Sequence, residues 1–471
     1  MNRTIVLLLL FSAGLMPANA QKASSSEQRA ARYLDSIRNQ TPLLLAFLRD
    51  LPKGGDLHNH LFGAIYAENL VDFAAQDGFC IDRTTSILIA PPCDDACDRY
   101  ASKPQIACAY QDHVLYNSII DAWSMRNWVG EEPGHDHFFA TFDRFQNALF
   151  GHIGDAIAEA TARAAADHLQ YLELMHTADN MQSAGLGAKI GWDDDFSKLR
   201  EKLLAGGLKD VAIATRQQLD RDERKTRQLL RCDSPQADAG CGVTVRYLYQ
   251  VLRGLPREQV FAQMVLGFEL AQSDPRFVGL NLVQPEDWYV PMHDFDLHMN
   301  MLDYLHRVYP KVHISLHAGE LAMGLVPPEG LAFHIRESIE KGHAERIGHG
   351  ASVMNERDAT ALLQEMAKRK VLVEICLTSN DLILGVRGRE HPLPVYLRHA
   401  VPVALATDDQ GVSRSDMTHE YLRAVETYSL TYADLKRLAR HSLEYSFLNA
   451  TDRARLQTKL EHDFTEFEKK Y

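Results

Sequence analysis

Eight short apolar stretches alternate with helical ones, and this alternation limits the fold more than any other feature of the chain. After DLHNH (56–60) come LQYLELMHTA (169–178), VTVRYLYQ (243–250) and FVGLNLV (277–283), then VHISLHAG (312–319), ERIGH (345–349), VLVEICLTS (371–379) and VPVALATDD (401–409). Helical patterns separate them, near 66–76, 145–168, 196–231, 293–309, 330–342, 357–369 and 392–400, with one running to about 272 and two more near 416–429 and 432–447. The glycine-rich stretch MQSAGLGAKIG (181–191) reads as a loop. Apolar strands between helices imply a mostly parallel sheet covered on both faces. Eight β/α units fit a closed (β/α)8 barrel of TIM type, which is the fold class expected, although counting alone also admits an open doubly wound sheet.

The flanks are of other kinds. Residues 1–20 carry Arg3, an apolar run too short to span a bilayer, and a closing Ala18-Asn19-Ala20; they read as a secretory leader. Residues 21–50 then form a helical extension, 51–450 the barrel, and 451–471 a helical tail. Export to a bacterial periplasm is the expected localisation, with no membrane span. A net charge of −13 argues against nucleic acid as a partner, and RDERKTRQLLR (221–231) reads as a solvated helix face. Export permits disulfides. Cys232 and Cys241 bracket a polar loop and are expected to pair; Cys80, Cys93, Cys97 and Cys108 allow two further bridges in three connectivities, or, against the flanking composition, a zinc site. They lie in an insert, 77–142, that matches no strand–helix unit. Cys376, in an apolar strand, reads as a buried inert thiol. Of assembly the sequence says only that a homodimer is admissible.

Polar residues fall in phase with the strand ends. His58 and His60, His317 and Glu320, His349, and Asp408 with Asp409 all close predicted strands or open the loops after them. In a barrel those ends converge on one face. His58 and His60, two apart on a strand, point to the same side. With His317 and Asp408 they make a mixed nitrogen and oxygen set suited to one zinc ion with a free position for water. Glu320 is the candidate proton donor, His349 could hold or deprotonate the water, and Asp409 could meet a substrate nitrogen. Each motif alone has an ordinary structural reading in a chain with 21 histidines; His113, His135, His137, His293 and His298 are given that reading. Together, in one phase with the strands, the motifs point to a hydrolytic metal site.

The set PKGGDLHNHLFG, HAGE, ERIGHG, a strand ending in TSN, and ATDD resembles the adenosine and AMP deaminase family, zinc-dependent amidohydrolase barrels. SMRNWVG, HDHFFATFDRF and the leader look more like its secreted, growth-factor-related branch. The resemblance implies deamination of adenosine or 2′-deoxyadenosine to the inosine product and ammonia, with one Zn2+ per chain and a small nucleoside as partner. It makes His58, His60, His317 and Asp408 the zinc ligands and Glu320 the donor to N1. His349 would orient the water, Asp409 would contact N7, and Gly319 is a further candidate substrate contact. Two positions depart from the family: an aspartate that binds ribose is Phe62 here, and a glycine that contacts the purine is replaced at or near Gln284 in LVQPED. Hence a different amino-purine or a 5′-modified adenosine stays open. So do an amide- or ester-hydrolysing amidohydrolase and a secreted nucleoside-binding protein. No PCxxC occurs, which sets aside the other zinc deaminase fold.

Overall fold

The first barrel strand, β1 (Gly54–His60), is followed by β2 (Leu169–His176), β3 (Thr244–Leu252), β4 (Phe277–Val283), β5 (His313–Ala318), β6 (Arg346–His349), β7 (Leu372–Ile375) and β8 (Val403–Leu405). These come from a computed structural model that describes residues 25–94, 97–98, 100–130 and 133–471; the leader lies outside the described residues. The strands hydrogen-bond in chain order, and every pairing between neighbours is parallel. Asp408, three residues past β8, closes the ring: its N–H donates to His58 O at 2.9 Å and its carbonyl accepts from His60 N at 3.0 Å. That seam makes the sheet a nearly closed barrel rather than an open one. It also places Asp408 beside both histidines of β1.

Helices wrap the strands, and β2 is buried along its whole length. The interior is not purely apolar. Arg346 on β6 lies between Glu173 of β2 and Glu374 of β7, with its Nε 2.7 Å from Glu374 Oε1, and all three are buried. The Arg346 guanidinium lies over the Phe447 ring, 3.7 Å from its centroid.

Local differences from the sequence reading have physical causes. The helical extension expected over 21–50 contains two helices, Ser25–Ile37 and Thr41–Asp50; Pro42 fits the first turn of a helix but not an interior. Residues 181–191 are no loop but a helix, Gln182–Ile190. Gly187 is there for contact: a Cβ would stand 2.4 Å from Glu258 O on the helix Arg257–Ser273. The strand expected to 379 stops at Ile375, and a helix Leu377–Leu384 follows, its first N–H groups received by buried Glu420.

In the insert, a two-stranded ribbon (Cys80–Ile81 with Leu88–Ile89) precedes helices His113–Ala122 and Gly134–Phe145. Disulfides join Cys80 to Cys93, Cys97 to Cys108, and Cys232 to Cys241. Those bonds decide the connectivity and leave no thiolates in the insert for zinc. Cys376 is a buried free thiol. The basic stretch continues the helix Lys209–Leu229, with Arg227 paired to Asp233 on its exposed side. Among the described residues no helix is long and apolar enough to cross a membrane.

Candidate active site

Three imidazoles meet a carboxylate where β1, β5 and β8 end. His317 Nε2 lies 3.1 Å from His58 Nε2 and 3.1 Å from His60 Nε2. Asp408 Oδ1 lies 3.4 Å and 3.3 Å from the same two β1 nitrogens. Each ring's other nitrogen faces a side-chain oxygen: His58 Nδ1 meets Glu374 Oε2 at 2.7 Å, His60 Nδ1 meets Gln250 Oε1 at 2.9 Å, and His317 Nδ1 meets Asn281 Oδ1 at 2.7 Å. These oxygens hold the protons on Nδ1, so three Nε2 lone pairs face one another with a carboxylate. Lone pairs so close repel unless a cation lies between them. The spacings agree with the edge of a tetrahedron having bonds of about 2.0–2.1 Å, which is roughly 3.3 Å. The donor set fits a divalent metal.

The charges carry the same signature. Burial opposes a charge on His58, yet hydrogen bonds to Asp408 and Glu374 hold its pKa up to about 10, a proton taking the role of a cation. Burial also opposes ionisation of Asp408, but His58 and His60 hold its carboxyl well below the usual range. His317 is pushed well down, by burial and then by His58 and His349. His349 comes within 4.8 Å of the cluster, but its close contacts run to Asn380 and Glu320.

Beside this cluster stand two carboxyls with raised affinity for protons. Burial, followed by the charges of Asp408 and Glu286, pushes Glu320 well above its ordinary value; its Oε1 lies 3.6 Å from His349 Nε2. Burial and neighbouring Asp408 do the same to Asp409, whose Oδ1 has no hydrogen-bond partner among the described residues. Asp409 is seated against Gly63, where a Cβ would come 1.7 Å from that oxygen. Buried Glu286 orients the HAGE loop by accepting from Gly319 N at 3.1 Å and Glu320 N at 2.7 Å while pairing with His334. His349, Asp408 and Gln284 all have left-handed backbones, φ 66°, 59° and 84°, a cost that side-chain aiming at a functional site can account for.

A cavity of about 240 Å³ opens above the cluster, lined in part by His60, His317, Glu320, Asp408 and Asp409. Phe62 lines it too, its ring 6.0 Å from that of His176. Gln284 is on the wall, with its Oε1 accepting from Gly254 N at 2.8 Å. Gly319 lies behind Glu320 with its N–H bonded to Glu286. Sequence reading did not single out His176, though it ends β2 as His317 nearly ends β5. Buried His176 is held neutral, its pKa pushed down to about 4. Nor did it place Phe138, Phe139 and Phe142 in the pocket, where the insert helix Gly134–Phe145 carries them.

A family model described as Adenosine deaminase matches residues 120–463. Adenosine deaminase of Escherichia coli O157:H7 is 36% identical over 149 residues, 31% of this chain and 41% of that protein; the match thus spans about two fifths of the length of the curated relatives. Among solved structures, an amidohydrolase from Burkholderia ambifaria with bound Zn superposes with a TM-score of 0.60 at 16% identity, covering 91% of this chain and 94% of that one. An adenine deaminase from Arthrobacter aurescens does so with 0.56 at 17%, covering 87% and 98%. The N6-methyl-AMP deaminase of Arabidopsis thaliana gives 0.57 at 20%, covering 89% and 98%. These three share the fold. β1 precedes the stretch matched by the family model, and the barrel seam brings its two histidines to the His–Asp cluster. On the match over most of its length, the chain belongs to the adenosine deaminase family of metal-dependent amidohydrolase barrels.

Proposed function

We propose that the protein is a zinc-dependent hydrolase that deaminates adenosine or 2′-deoxyadenosine to inosine or deoxyinosine and ammonia. The observation that carries this reading is the buried Glu320 carboxyl beside three converging imidazoles and Asp408 at the base of one cavity. In this reading His58, His60, His317 and Asp408 hold one zinc ion; a solved relative of the same fold contains Zn. A zinc ion held by these four residues would lower the pKa of a water molecule to near neutrality.

The protein's own groups carry the rest. Glu320 gives its proton to purine N1, which makes C6 electrophilic, and His349 orients the water that attacks it. The Glu320 carboxylate collects a proton from that water and passes it to the amino group. As the C6–N bond breaks and ammonia leaves, the remaining hydroxyl proton returns to Glu320 and the C6 carbonyl forms. Asp409, protonated, donates to N7. Phe62 and Gln284 on the cavity wall are read as the contacts to sugar and base, with Phe62 giving the ribose side an apolar wall, while Gly319, outside the lining, acts by seating Glu320. No Lys or Arg is among the described residues lining the cavity, whereas Asp143 is, which favours a nucleoside over its phosphate.

Three disulfides in the described residues support export to an oxidising compartment. We read 1–20 as its leader, 21–50 and 451–471 as helical flanks of the 51–450 barrel, and the insert as the mark of the secreted growth-factor-related branch. A homodimer is the assembly to look for by light scattering.

The test is adenosine turnover by the zinc-loaded protein, followed through the ultraviolet difference between adenosine and inosine, with Glu320→Gln as control. We expect turnover that falls by about 10²–10⁴-fold in the variant, with zinc content unchanged. Zinc-loaded wild-type protein that leaves adenosine and deoxyadenosine intact would refute the substrate assignment, and 5′-modified adenosines and adenine would be tried next.

A further inference from the structure

His349 ends β6, fully buried, and its two ring nitrogens meet different neighbours. Nδ1 lies 3.0 Å from the Asn380 amide nitrogen. Nε2 faces Glu320 and has no hydrogen bond among the described residues. A neutral imidazole has one N–H and one lone pair. Which nitrogen carries the proton decides whether His349 can take a proton from the attacking water or only donate to it.

A backbone group settles the matter. Leu393 N donates to His391 Nδ1 at 3.1 Å. A backbone N–H can only donate, so His391 Nδ1 has the lone pair and Nε2 carries the proton. That Nε2 lies 3.1 Å from Asn380 Oδ1, which accepts from it. The Asn380 amide is thereby oriented, its oxygen toward His391 and its nitrogen toward His349, by the network itself. The amide N–H donates to His349 Nδ1, which leaves the proton of His349 on Nε2. Asn380 and His349 are fully buried and His391 nearly so, which leaves solvent no place between the Asn380 amide and either ring. An imidazolium at either ring would set N–H against N–H, and burial already pushes His391 down to about 4.

We propose that His391, acting through Asn380, holds His349 in the Nε2–H tautomer, so that His349 donates a hydrogen bond to the attacking water and to the oxygen forming at C6 and does not act as the base. Asn380 and His391 are positioning residues; neither touches the cluster. The role at C6 rests on the deaminase reading, but the tautomer does not.

Asn380→Asp tests this, because it exchanges the amide nitrogen for an oxygen of similar shape. His391 can still donate, while His349 must now present N–H at Nδ1, which in the neutral ring leaves the lone pair on Nε2. In zinc-loaded protein labelled with 15N-histidine, the His349 ring, identified by its loss in His349→Gln, should show N–H character at Nε2 in the wild type and at Nδ1 in Asn380→Asp. Adenosine kcat should fall by about 10⁴-fold, as when a catalytic histidine is held in the wrong tautomer, with KM little changed and zinc content intact. A wild-type ring protonated at Nδ1 would overturn the proposal, as would an Asn380→Asp enzyme with wild-type kcat. The wild-type spectrum needs no substrate and does not depend on Asn380→Asp folding, so it decides the tautomer even where adenosine is not turned over.

Discussion

Replacing Glu374 with Gln asks how far the metal site depends on a residue that does not face the metal. Glu374 uses its two oxygens separately: Oε2 meets His58 Nδ1 at 2.7 Å, while Oε1 accepts from the Ser315 hydroxyl at 3.0 Å and is ion-paired with the Arg346 guanidinium, whose Nε lies 2.7 Å away. Glutamine has the same shape but one acceptor. With its oxygen toward Arg346, its NH2 meets His58 Nδ1 and drives that proton to Nε2, where it occupies the lone pair the metal needs. With its oxygen toward His58, the NH2 points at the buried guanidinium. Either arrangement weakens binding, and loss of such an outer partner typically costs 10–100-fold in metal affinity, or about 1.4–2.8 kcal/mol. Arg346 keeps Glu173 as a partner in both cases, so the fold is expected to survive. The assay is zinc competition against a chromophoric chelator, paired with thermal melts of the metal-free proteins. An affinity equal to wild type, with an intact fold, would show that Glu374 does not set the His58 tautomer and would refute the reasoning.

Gly63→Ala places a methyl 1.7 Å from Asp409 Oδ1. The backbone cannot retreat, since Gly63 O accepts from Gly411 N and Val412 N, so Asp409 must swing away; kcat/KM is expected to fall by about 10²-fold with zinc stoichiometry unchanged. Burial raises Glu420 from an ordinary 4.5 to about 7, so between those values the folded state binds more protons than the unfolded one. Its contribution is fully present below the unfolded pKa and lost as pH rises through about 7, roughly 3 kcal/mol in all; Glu420→Gln should narrow the gap between urea midpoints at pH 5 and pH 8, and an unchanged gap would contradict this. Opening the nine-residue Cys232–Cys241 separation with paired serines should cost about 2–3 kcal/mol on loop-closure grounds, read as a lower urea midpoint with adenosine turnover retained.

The parts of the site legible in sequence are those that a period of two and a strand end determine. His58 and His60 share a face because they are two apart, and His317, His349 and Asp408 gather because parallel strands all end at one rim. The partners that make these residues useful carry no such mark. Glu374, Asn281 and Gln250 sit within or at the end of apolar strands, where a polar residue pointing into a barrel looks like one pointing into a helix layer. His176 obeyed the strand-end rule and was passed over because no neighbouring motif drew attention to it. The insert was harder still, because no local pattern says that the helix Gly134–Phe145 crosses over the rim; that depends on distant packing, including Gly134 lying so close to Leu382 that a Cβ would stand 1.9 Å from its carbonyl oxygen.

The same contrast bears on how the chemistry is controlled. The direction of each proton at the site is set one bond further out: by Glu374 for His58, by Gln250 for His60, by Asn281 for His317 and by Asn380 for His349. In the first three, the outer group accepts from Nδ1 and turns a lone pair toward the metal position. In the fourth, the outer group donates to Nδ1 and turns a proton toward the substrate. On the proposed reading, the polarity of their partners divides these four histidines into three ligands and one donor, and reversing the polarity of the partner at any of these positions should convert one role into the other before it disturbs the barrel.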